Sequence, residues 1–210
     1  MNMVAAKTDS SAHSRAAIDA LKARFKRQNF IAFGVLLAGA LAYPMLPGVE
    51  GWMAYTVSLV FIYIIATQGV ALLTGYTGLV TVGHGGFLAI GAYTSALLTK
   101  HYGIDLVFGL LAGGIVAGFI GCILAIIFLR LSGAFMAIGT LGFAFFVGTV
   151  VNNVEFFEGR EGIKLPPNRV FGFTIGDVGF YYVALIVLAL VTLLVYCIVN
   201  SGVGRAMMAL

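Results

Sequence analysis

Long apolar segments separated by short polar ones make up most of this chain. After a polar stretch of about thirty residues, the apolar positions run on without regular alternation. A helix needs about 20 apolar residues to cross a bilayer core of about 30 Å, whereas a membrane β-strand would alternate within segments of about ten residues. The pattern predicts six membrane-spanning helices, at about 31–49, 52–74, 79–99, 104–129, 133–153 and 179–199.

The composition supports a lipid environment. Hydrophobic residues make up 61% of the chain and charged residues 10%, and the mean hydropathy is +1.05. Soluble domains hold roughly 45–50% apolar and about 25% charged residues. Because this chain has too few charges to cover a surface that faces water, we predict an all-α, polytopic transmembrane helix bundle.

The first 30 residues form a polar, basic segment with six of the twelve Lys and Arg residues. Ile18, Leu21 and Phe25 recur at helical spacing, which is compatible with a helix on the lipid surface or with a solvated tail. The small residues around Leu41 are compatible with a signal-peptide cleavage site, but the polar leader is long for that purpose. Basic residues beside an apolar segment indicate lipid contact and orientation, rather than nucleic-acid binding.

The distribution of basic residues predicts the orientation. Lys and Arg accumulate in the cytoplasmic loops of membrane proteins. With six spans, the leader, Arg130 and Arg205 lie on one side. The other side holds the remaining basic residues, which are Lys100, Arg160, Lys164 and Arg169. We therefore predict that both termini are cytoplasmic and that the polar stretch 154–178 is an external loop.

The densest candidate for function lies between residues 75 and 91, which include six glycines. In lipid, small residues let helices approach closely, and clustered glycine also permits a helix to break where it lines a cavity. His84, an ionisable residue within a predicted span, either lines a pathway or gate or bonds a neighbouring helix. The candidate pathway residues here are Gly83, His84, Gly85, Gly86, Phe87 and Gly91.

A second segment resembles part of this cluster. Residues 85–91 match residues 133–139 at five of seven positions, 48 residues further along the chain. The offset skips one predicted helix, so both copies would cross the membrane in the same direction. They are either related helices placed equivalently around a translocation route or a chance match in a sequence rich in Gly, Ala and Phe. The first interpretation adds Phe135 and Gly139 to the candidates.

Other polar and reactive residues give weaker signals. Asn152 ends the fifth apolar segment, where its amide could bond a solute or simply cap the helix at the interface. We keep Asn152 as a candidate pathway residue. Cys122 and Cys197 lie in apolar segments, which indicates buried thiols rather than a redox or metal site. The charged loop 158–167 is either a docking element for another protein or a solvated connector.

Two of these segments resemble the permease subunits of the branched-chain amino-acid ABC importer family, which includes urea and amide importers. Residues 78–84 and 91–94 are similar to the family's Gly-Gln-Leu-Ser-Leu-Gly-His-like segment and the Gly-Ala-Tyr that follows it. Residues 131–138 resemble its Leu-Arg-Gly-x-Tyr-Phe-Ala-Ile segment, with Ser132 in the place of Arg. Residues 158–162 match its Thr-Gly-Gly loop only loosely.

The resemblance extends from about residue 50 to the end of the chain. It implies a multi-pass permease domain, residues 31–199, in a bacterial-type inner (plasma) membrane. It also implies that 200–210 begin a cytoplasmic coupling segment, in which Gly204, Arg205 and Ala206 contact an ATPase. The partners implied are ABC ATPase subunits, a second permease subunit and a periplasmic or extracellular solute-binding protein. Family members continue further, so we expect either a fragment, incompetent for coupled transport, or a natural short form.

These observations favour transport over catalysis. The sequence has no Gly-x-x-x-x-Gly-Lys-Ser/Thr phosphate loop, so ATP hydrolysis would need a partner subunit. No carboxylate pair, metal cluster or Ser/Lys arrangement lies within the predicted spans, and we predict no catalytic residue, metal or cofactor. We predict a permease for branched-chain or other small amino acids, urea or amides. A passive channel or facilitator is the alternative.

Overall fold

The computed structural model describes residue 34 and residues 36–45, 48–128, 134–159, 162–167, 169–170 and 172–207. Two units make up the chain, Met1–Val49 and Glu50–Leu210. In the first unit, the apolar helix Leu36–Met45 ends in a 3-10 turn at Tyr43–Met45. The predicted basic segment 1–30 lies outside the described residues.

The second unit is almost entirely helical. Its helices are α1 (Gly51–Thr77), α2 (His84–Tyr102), α3 (Leu106–Phe128), α4 (Ala134–Asn153), α5 (Asp177–Asn200) and α6 (Gly202–Met207). A 3-10 turn, Glu155–Phe157, follows α4. A small antiparallel hairpin precedes α5, with Arg169 of β1 (Arg169–Val170) opposite Thr174 of β2 (Phe173–Thr174).

Within the described part of the chain, four helices are long and apolar enough to cross a bilayer. They are α1, α3, α4 from Phe135 onward, and α5. Helix α2 is not among them, because its hydroxyl, histidine and lysine side chains lower its hydropathy. The long apolar helices confirm a polytopic helical membrane protein. The count of six spans and the cytoplasmic position of both termini stay predictions.

The start of α2 differs from the expected helix 79–99. Residues 78–83 are not helical, and α2 begins only at His84. Gly78 ends α1 in the left-handed conformation, with φ of +67°, which glycine adopts without a steric penalty. The Leu79 N–H then bonds the Thr77 hydroxyl at 3.4 Å, which helps to turn the chain out of α1. Hydropathy alone did not register this break, because half of residues 78–83 are strongly apolar and none of them is charged.

The contact between α1 and α5 contains the most deeply buried side chains of the described residues. Tyr181 of α5 is fully buried against α1, where Ala54 and Ser58 are fully buried too. These small residues leave room for the Tyr181 ring, which packs 5.2 Å from the ring of Phe61. The Ser58 hydroxyl donates to the Ala54 carbonyl at 2.8 Å, so its burial leaves no unpaired donor.

The remaining long helices pack around α2. Helix α2 makes its largest contact with α3 and a second one with α4, whereas it meets α1 over a much smaller area. Helix α6 packs against α5 and also reaches α1. The helices of this unit therefore form two groups, α1–α5–α6 and α2–α3–α4.

Candidate functional site

The predicted site glycines Gly83 and Gly86 hold the start of α2 close to α4. A Cβ added to Gly83 would lie 2.5 Å from the Thr140 carbonyl oxygen. One added to Gly86 would lie 3.0 Å from a ring carbon of Phe143 and 3.2 Å from the Cα of Ala144. Both positions therefore require glycine for a close helix contact, as small residues provide in membrane proteins.

Thr140 ties the non-helical segment before α2 to α4. Its hydroxyl accepts the Val82 N–H at 3.2 Å and donates to the Ala137 carbonyl at 3.0 Å. Thr140 is almost fully buried. Thr140 was not predicted as a site residue, although the sequence shows a hydroxyl within the apolar segment 133–153. Backbone N–H groups outside helices need such partners where they are shielded from water.

Gly91 and Phe87 face the other neighbours of α2. A Cβ on Gly113 of α3 would lie only 2.5 Å from the Gly91 carbonyl oxygen, so the two helices touch through their backbones here. The Phe87 ring packs 5.0 Å from the ring of Phe143 on α4. A Cβ on Gly121 of α3 would also lie 3.5 Å from this ring. Phe87 thus bridges α3 and α4.

His84 lies where α2 meets α1. Its imidazole edge faces Gly69, since a Cβ there would be 3.8 Å from the His84 Cδ2 atom and 3.9 Å from Nε2. The Nδ1 atom is buried and has no hydrogen-bond partner among the described residues. An unpaired buried polar atom is unfavourable and therefore calls for an explanation.

Gln68, next to Gly69 on α1, was not predicted. Its amide Nε2 donates to the Thr192 hydroxyl of α5 at 2.9 Å, whereas its buried Oε1 has no partner within the described structure. Gln68 is the only amide in the apolar segment 52–74, and this was a signal that the sequence offered. Polar side chains within spans mark functional or helix-bonding positions.

Two predicted residues, Gly85 and Asn152, line one groove along α4. The groove has a volume of about 600 Å³. It lies beside the contact of α4 with α2, since Gly85 of α2 lines it and the Cα of the lining residue Ala144 would be 3.2 Å from a Cβ on Gly86. The other residues that line it are Leu141, Ala144, Phe145, Gly148, Thr149 and Asn153. Its wall thus changes from apolar at the middle of α4 to polar at its C-terminal end.

Phe135 and Gly139 lie on α4 but are not among the residues that line this groove. Both similar segments are at the start of a helix, α2 and α4. However, Phe87 packs between two helices, whereas its counterpart Phe135 is 68% exposed. The matched phenylalanines therefore have different surroundings, which argues against equivalent placement of the two segments.

Gly204 forms the corner between α5 and α6. A Cβ on this buried glycine would run into the Val199 carbonyl oxygen and lie 2.7 Å from the Ile198 carbonyl oxygen. The backbone N–H and hydroxyl of Ser201 also bond the Ile198 carbonyl, at 3.1 and 2.7 Å. Arg205 and Ala206 are residues of α6, and their side chains lie outside the described structure.

The residues after α4 are attached to the end of α2. Lys100 and Glu158 form an ion pair, and each side chain is about one-third exposed. The rings of His101 and Phe156 stack with centroids 6.1 Å apart. Farther along, the Gly172 N–H donates to an Asp105 carboxylate oxygen at 3.1 Å. The connection to α5 is therefore held at two points.

Residues 52–210, which include almost all of α1 and the whole of α2–α6, match the family model of the branched-chain amino acid transport system permease component. The chain belongs to this family. The match covers both helix groups, the α4 groove and the α5–α6 corner. The long apolar helices and the family together identify a multi-pass membrane protein of a transport-permease family.

Curated relatives support the same assignment. The chain is 40% identical over 139 residues to the high-affinity branched-chain amino acid transport system permease protein LivM of Escherichia coli (strain K12). It is 39% identical over 139 residues to the protein of the same name from Salmonella typhimurium (strain LT2). Each match covers 65% of this chain and 32% of the relative, so the chain spans about a third of the length of these relatives. No solved structure matches the chain.

Proposed function

We propose that this chain forms part of the membrane pathway of an ABC importer for branched-chain or other small amino acids, urea or amides. The observation that carries the proposal is the family match over residues 52–210. Both curated relatives are permease proteins of branched-chain amino acid transport systems. A partner ATPase supplies the energy, and a second permease subunit and a solute-binding protein complete the importer.

The proposed orientation has six spans, with both termini on the cytoplasmic side of a bacterial-type inner membrane. The basic residues support it, because the leader alone holds six of the twelve Lys and Arg residues. In this orientation the turn Glu155–Phe157 and the hairpin before α5 are external. The anchored loop then offers the solute-binding protein a surface held at a fixed position.

The pathway runs along the α4 groove. Thr149, Asn152 and Asn153 are exposed on this helix face, where Thr149 and Asn153 also bond helix carbonyls. Polar groups such as the Asn152 amide are costly in contact with hydrocarbon. A face of this kind belongs beside water, solute or a second permease subunit. Gly85 lines the groove directly, and Gly83, Gly86 and Phe87 support its wall through their contacts with α4. His84, Gly91, Phe135 and Gly139 stay candidate pathway residues away from this groove.

Energy coupling is assigned to residues 200–210. The rigid corner at Gly204 supports this role, because it fixes the direction in which α6 leaves α5. Gly204, Arg205 and Ala206 then form a contact with the ATPase. Motion of the ATPase reaches the pathway through α6.

Reconstitution of the complete gene product with its partner subunits tests the proposal. Proteoliposomes with ATP inside should take up radiolabelled leucine in the presence of the solute-binding protein, with urea and short amides tested in parallel. An ATPase subunit that cannot hydrolyse ATP is the matched control and should abolish uptake. Uptake at the same rate without ATP or partners would contradict the proposal and establish a passive channel instead.

A further inference from the structure

Within each of the two helix groups the members are closely joined. Helices α1 and α5 share the fully buried Tyr181, and Gln68 bonds Thr192 between them. The α5–α6 corner is closed by Gly204, which leaves no space for a side chain. These contacts make α1, α5 and α6 one tightly packed body.

The second group is joined through glycines. Gly91 and Gly113 bring the backbones of α2 and α3 together, and Gly83 and Gly86 do the same for α2 and α4. The Thr140 hydroxyl adds a hydrogen bond to the Val82 N–H. Packed interfaces of this kind move as units rather than deforming continuously.

Between the two groups the contact is much smaller. Among the described residues, α1 against α2 is the largest helix contact that joins the groups. There Gly69 faces the His84 ring, and a Cβ added to Gly69 would lie 3.8 Å from His84 Cδ2, so a methyl group would fit between them. Beside this position, His84 Nδ1 and Gln68 Oε1 are buried without partners in the described structure. We call the facing residues Gly69 and His84 the seam.

We propose that the seam is the moving contact of the transport cycle, across which α1–α5–α6 shifts as one body against α2–α3–α4. This inference rests on the proposed function. It adds which helix surfaces of this subunit move relative to each other. The non-helical segment 78–83 is the short connection that can act as the hinge between the groups.

The unpaired atoms make the present arrangement of the seam energetically less favourable. A buried polar atom without a partner is unfavourable, so a second arrangement that pairs Gln68 Oε1 or His84 Nδ1 with protein, water or solute competes with the present one. Because α6 is attached to the first group, motion of the ATPase passes from α6 to α1 and α5. A push on α6 displaces α1 and α5 together, and α2 then experiences a change at His84.

Paired cysteines in the assembled importer test this inference, with Cys122 and Cys197 and any further cysteines of the complete gene product replaced. The seam pair is Gly69→Cys with His84→Cys. The control pair within the first group is Gly51→Cys with Asp177→Cys, since a Cβ on Gly51 would lie 3.6 Å from the Asp177 Cβ, within the usual disulfide range. A short bifunctional thiol reagent with a reducible link joins each pair.

Cross-linking the seam pair should lower ATP-dependent leucine uptake at least tenfold, and reduction of the link should restore it. Cross-linking the control pair should change uptake less than twofold. Unchanged uptake with the seam cross-linked, or equal loss with either pair, would overturn the proposal. Uptake by the variants is also measured before any reagent is added. If ATP-dependent uptake is absent at that stage, the proposed function fails, and this outcome is distinct from failure of the inference about the seam.

A second readout does not depend on uptake, in case His84→Cys impairs it. The rate of cross-linking is measured without nucleotide and with ATP and vanadate bound. The seam pair should change its rate at least fivefold between these states, while the control pair keeps its rate within twofold. Equal rates for the seam pair in both states would show that the two groups do not move relative to each other.

Discussion

Gly113 and Gly114 are neighbours in α3, yet their surroundings differ completely. A Cβ on Gly113 would lie 2.5 Å from the Gly91 carbonyl oxygen, whereas no described atom lies within 4 Å of a Cβ on Gly114. The difference arises because only one of the two positions faces α2. At the scale of single residues, the demand for glycine therefore depends on the neighbouring helix rather than on the local sequence.

The pair yields a stability prediction. We expect Gly113→Ala to destabilise the protein by about 1–3 kcal/mol, because the backbone of Gly91 must move to admit a methyl group. Gly114→Ala is the matched control and should be neutral or stabilising by up to about 1 kcal/mol, since alanine favours the helix. The thermal unfolding midpoint of the purified protein in detergent measures both. Equal midpoints for the two variants would refute the close approach of α2 and α3.

A second residue-scale prediction concerns Gly69. Alanine at this position would place its methyl group 3.8 Å from His84 Cδ2, so it should fit and favour the present arrangement of the seam. If the methyl group stabilises the present arrangement by about 1 kcal/mol relative to a second one, the equilibrium between the two shifts about fivefold. We expect Gly69→Ala to lower the initial rate of ATP-dependent uptake several-fold, without loss of assembly with the ATPase.

Gly75→Ala provides the control in the same helix. Gly75 is exposed, and no described atom comes within 4 Å of a Cβ there. The substitution brings the same gain in helix preference without a contact across the seam. Uptake by Gly75→Ala should therefore stay near that of the unchanged protein, and an equal loss in both variants would assign the effect to helix stiffness.

At the scale of elements, the corner between α5 and α6 is the clearest case of geometry set by one residue. The Ser201 N–H and hydroxyl both bond the Ile198 carbonyl, and Gly204 packs against the last carbonyls of α5. Helix α6 is short, and it keeps its direction because it rests on α5 and α1. Helix propensity alone would not hold six residues in this position.

We expect Gly204→Ala to uncouple ATP hydrolysis from uptake. The added methyl group would collide with the Val199 and Ile198 carbonyls, so α6 must tilt or unwind. The ratio of leucine transported to ATP hydrolysed should fall at least fivefold. Gly202→Ala is the control, because Gly202 is exposed and a Cβ there has no described atom within 4 Å. A normal ratio in Gly204→Ala would exclude the corner from coupling.

At the scale of the whole molecule, the charge pattern and the family lead to an orientation that can be measured. Six spans with cytoplasmic termini require the loop before α5 to be external and the leader to be internal. Lys164 lies in this loop and is exposed. Ser10 belongs to the basic leader. Both sites are outside the predicted spans, so a membrane-impermeant reagent can report on each.

We expect Lys164→Cys to react with an impermeant maleimide in intact spheroplasts, in a protein that otherwise has no reactive cysteine. Ser10→Cys should react only after the membrane is permeabilised. Labelling is read from the mass shift of the purified protein. Labelling of both sites from the same side would mean an even number of spans between them, instead of the five that the six-span orientation requires, and would refute that orientation.

The sequence predicted the positions of most helices, but it did not predict where α2 starts. The apolar segments 104–129, 133–153 and 179–199 correspond closely to α3, α4 and α5. Apolar segments of this length are helical because every backbone group must be bonded within the segment in lipid. The expected helix 79–99 starts instead at His84, since Gly78 and the Thr77 hydroxyl turn the chain. Hydropathy does not measure such local bonding.

The candidate site was readable only in part, for a related reason. The glycine cluster was singled out as a whole, but its members face three different helices, and Gly85 alone of them lines the α4 groove. Gln68 and Thr140 were missed because single polar residues in long apolar segments have no spacing pattern. The match between 85–91 and 133–139 was visible, yet Phe87 and Phe135 have different surroundings.

That the protein is helical and lies in a membrane was predictable from its amino-acid sequence, and its motifs pointed to the permease family. These properties follow from composition, segment length and local motifs, which are features of the chain taken in order. The folded arrangement was needed to show that α1 pairs with α5, that α2 packs on α3 and α4, and that His84 faces Gly69. Such contacts depend on the shapes of surfaces distant in sequence, and apolar helices offer lipid and neighbouring helices nearly the same chemistry.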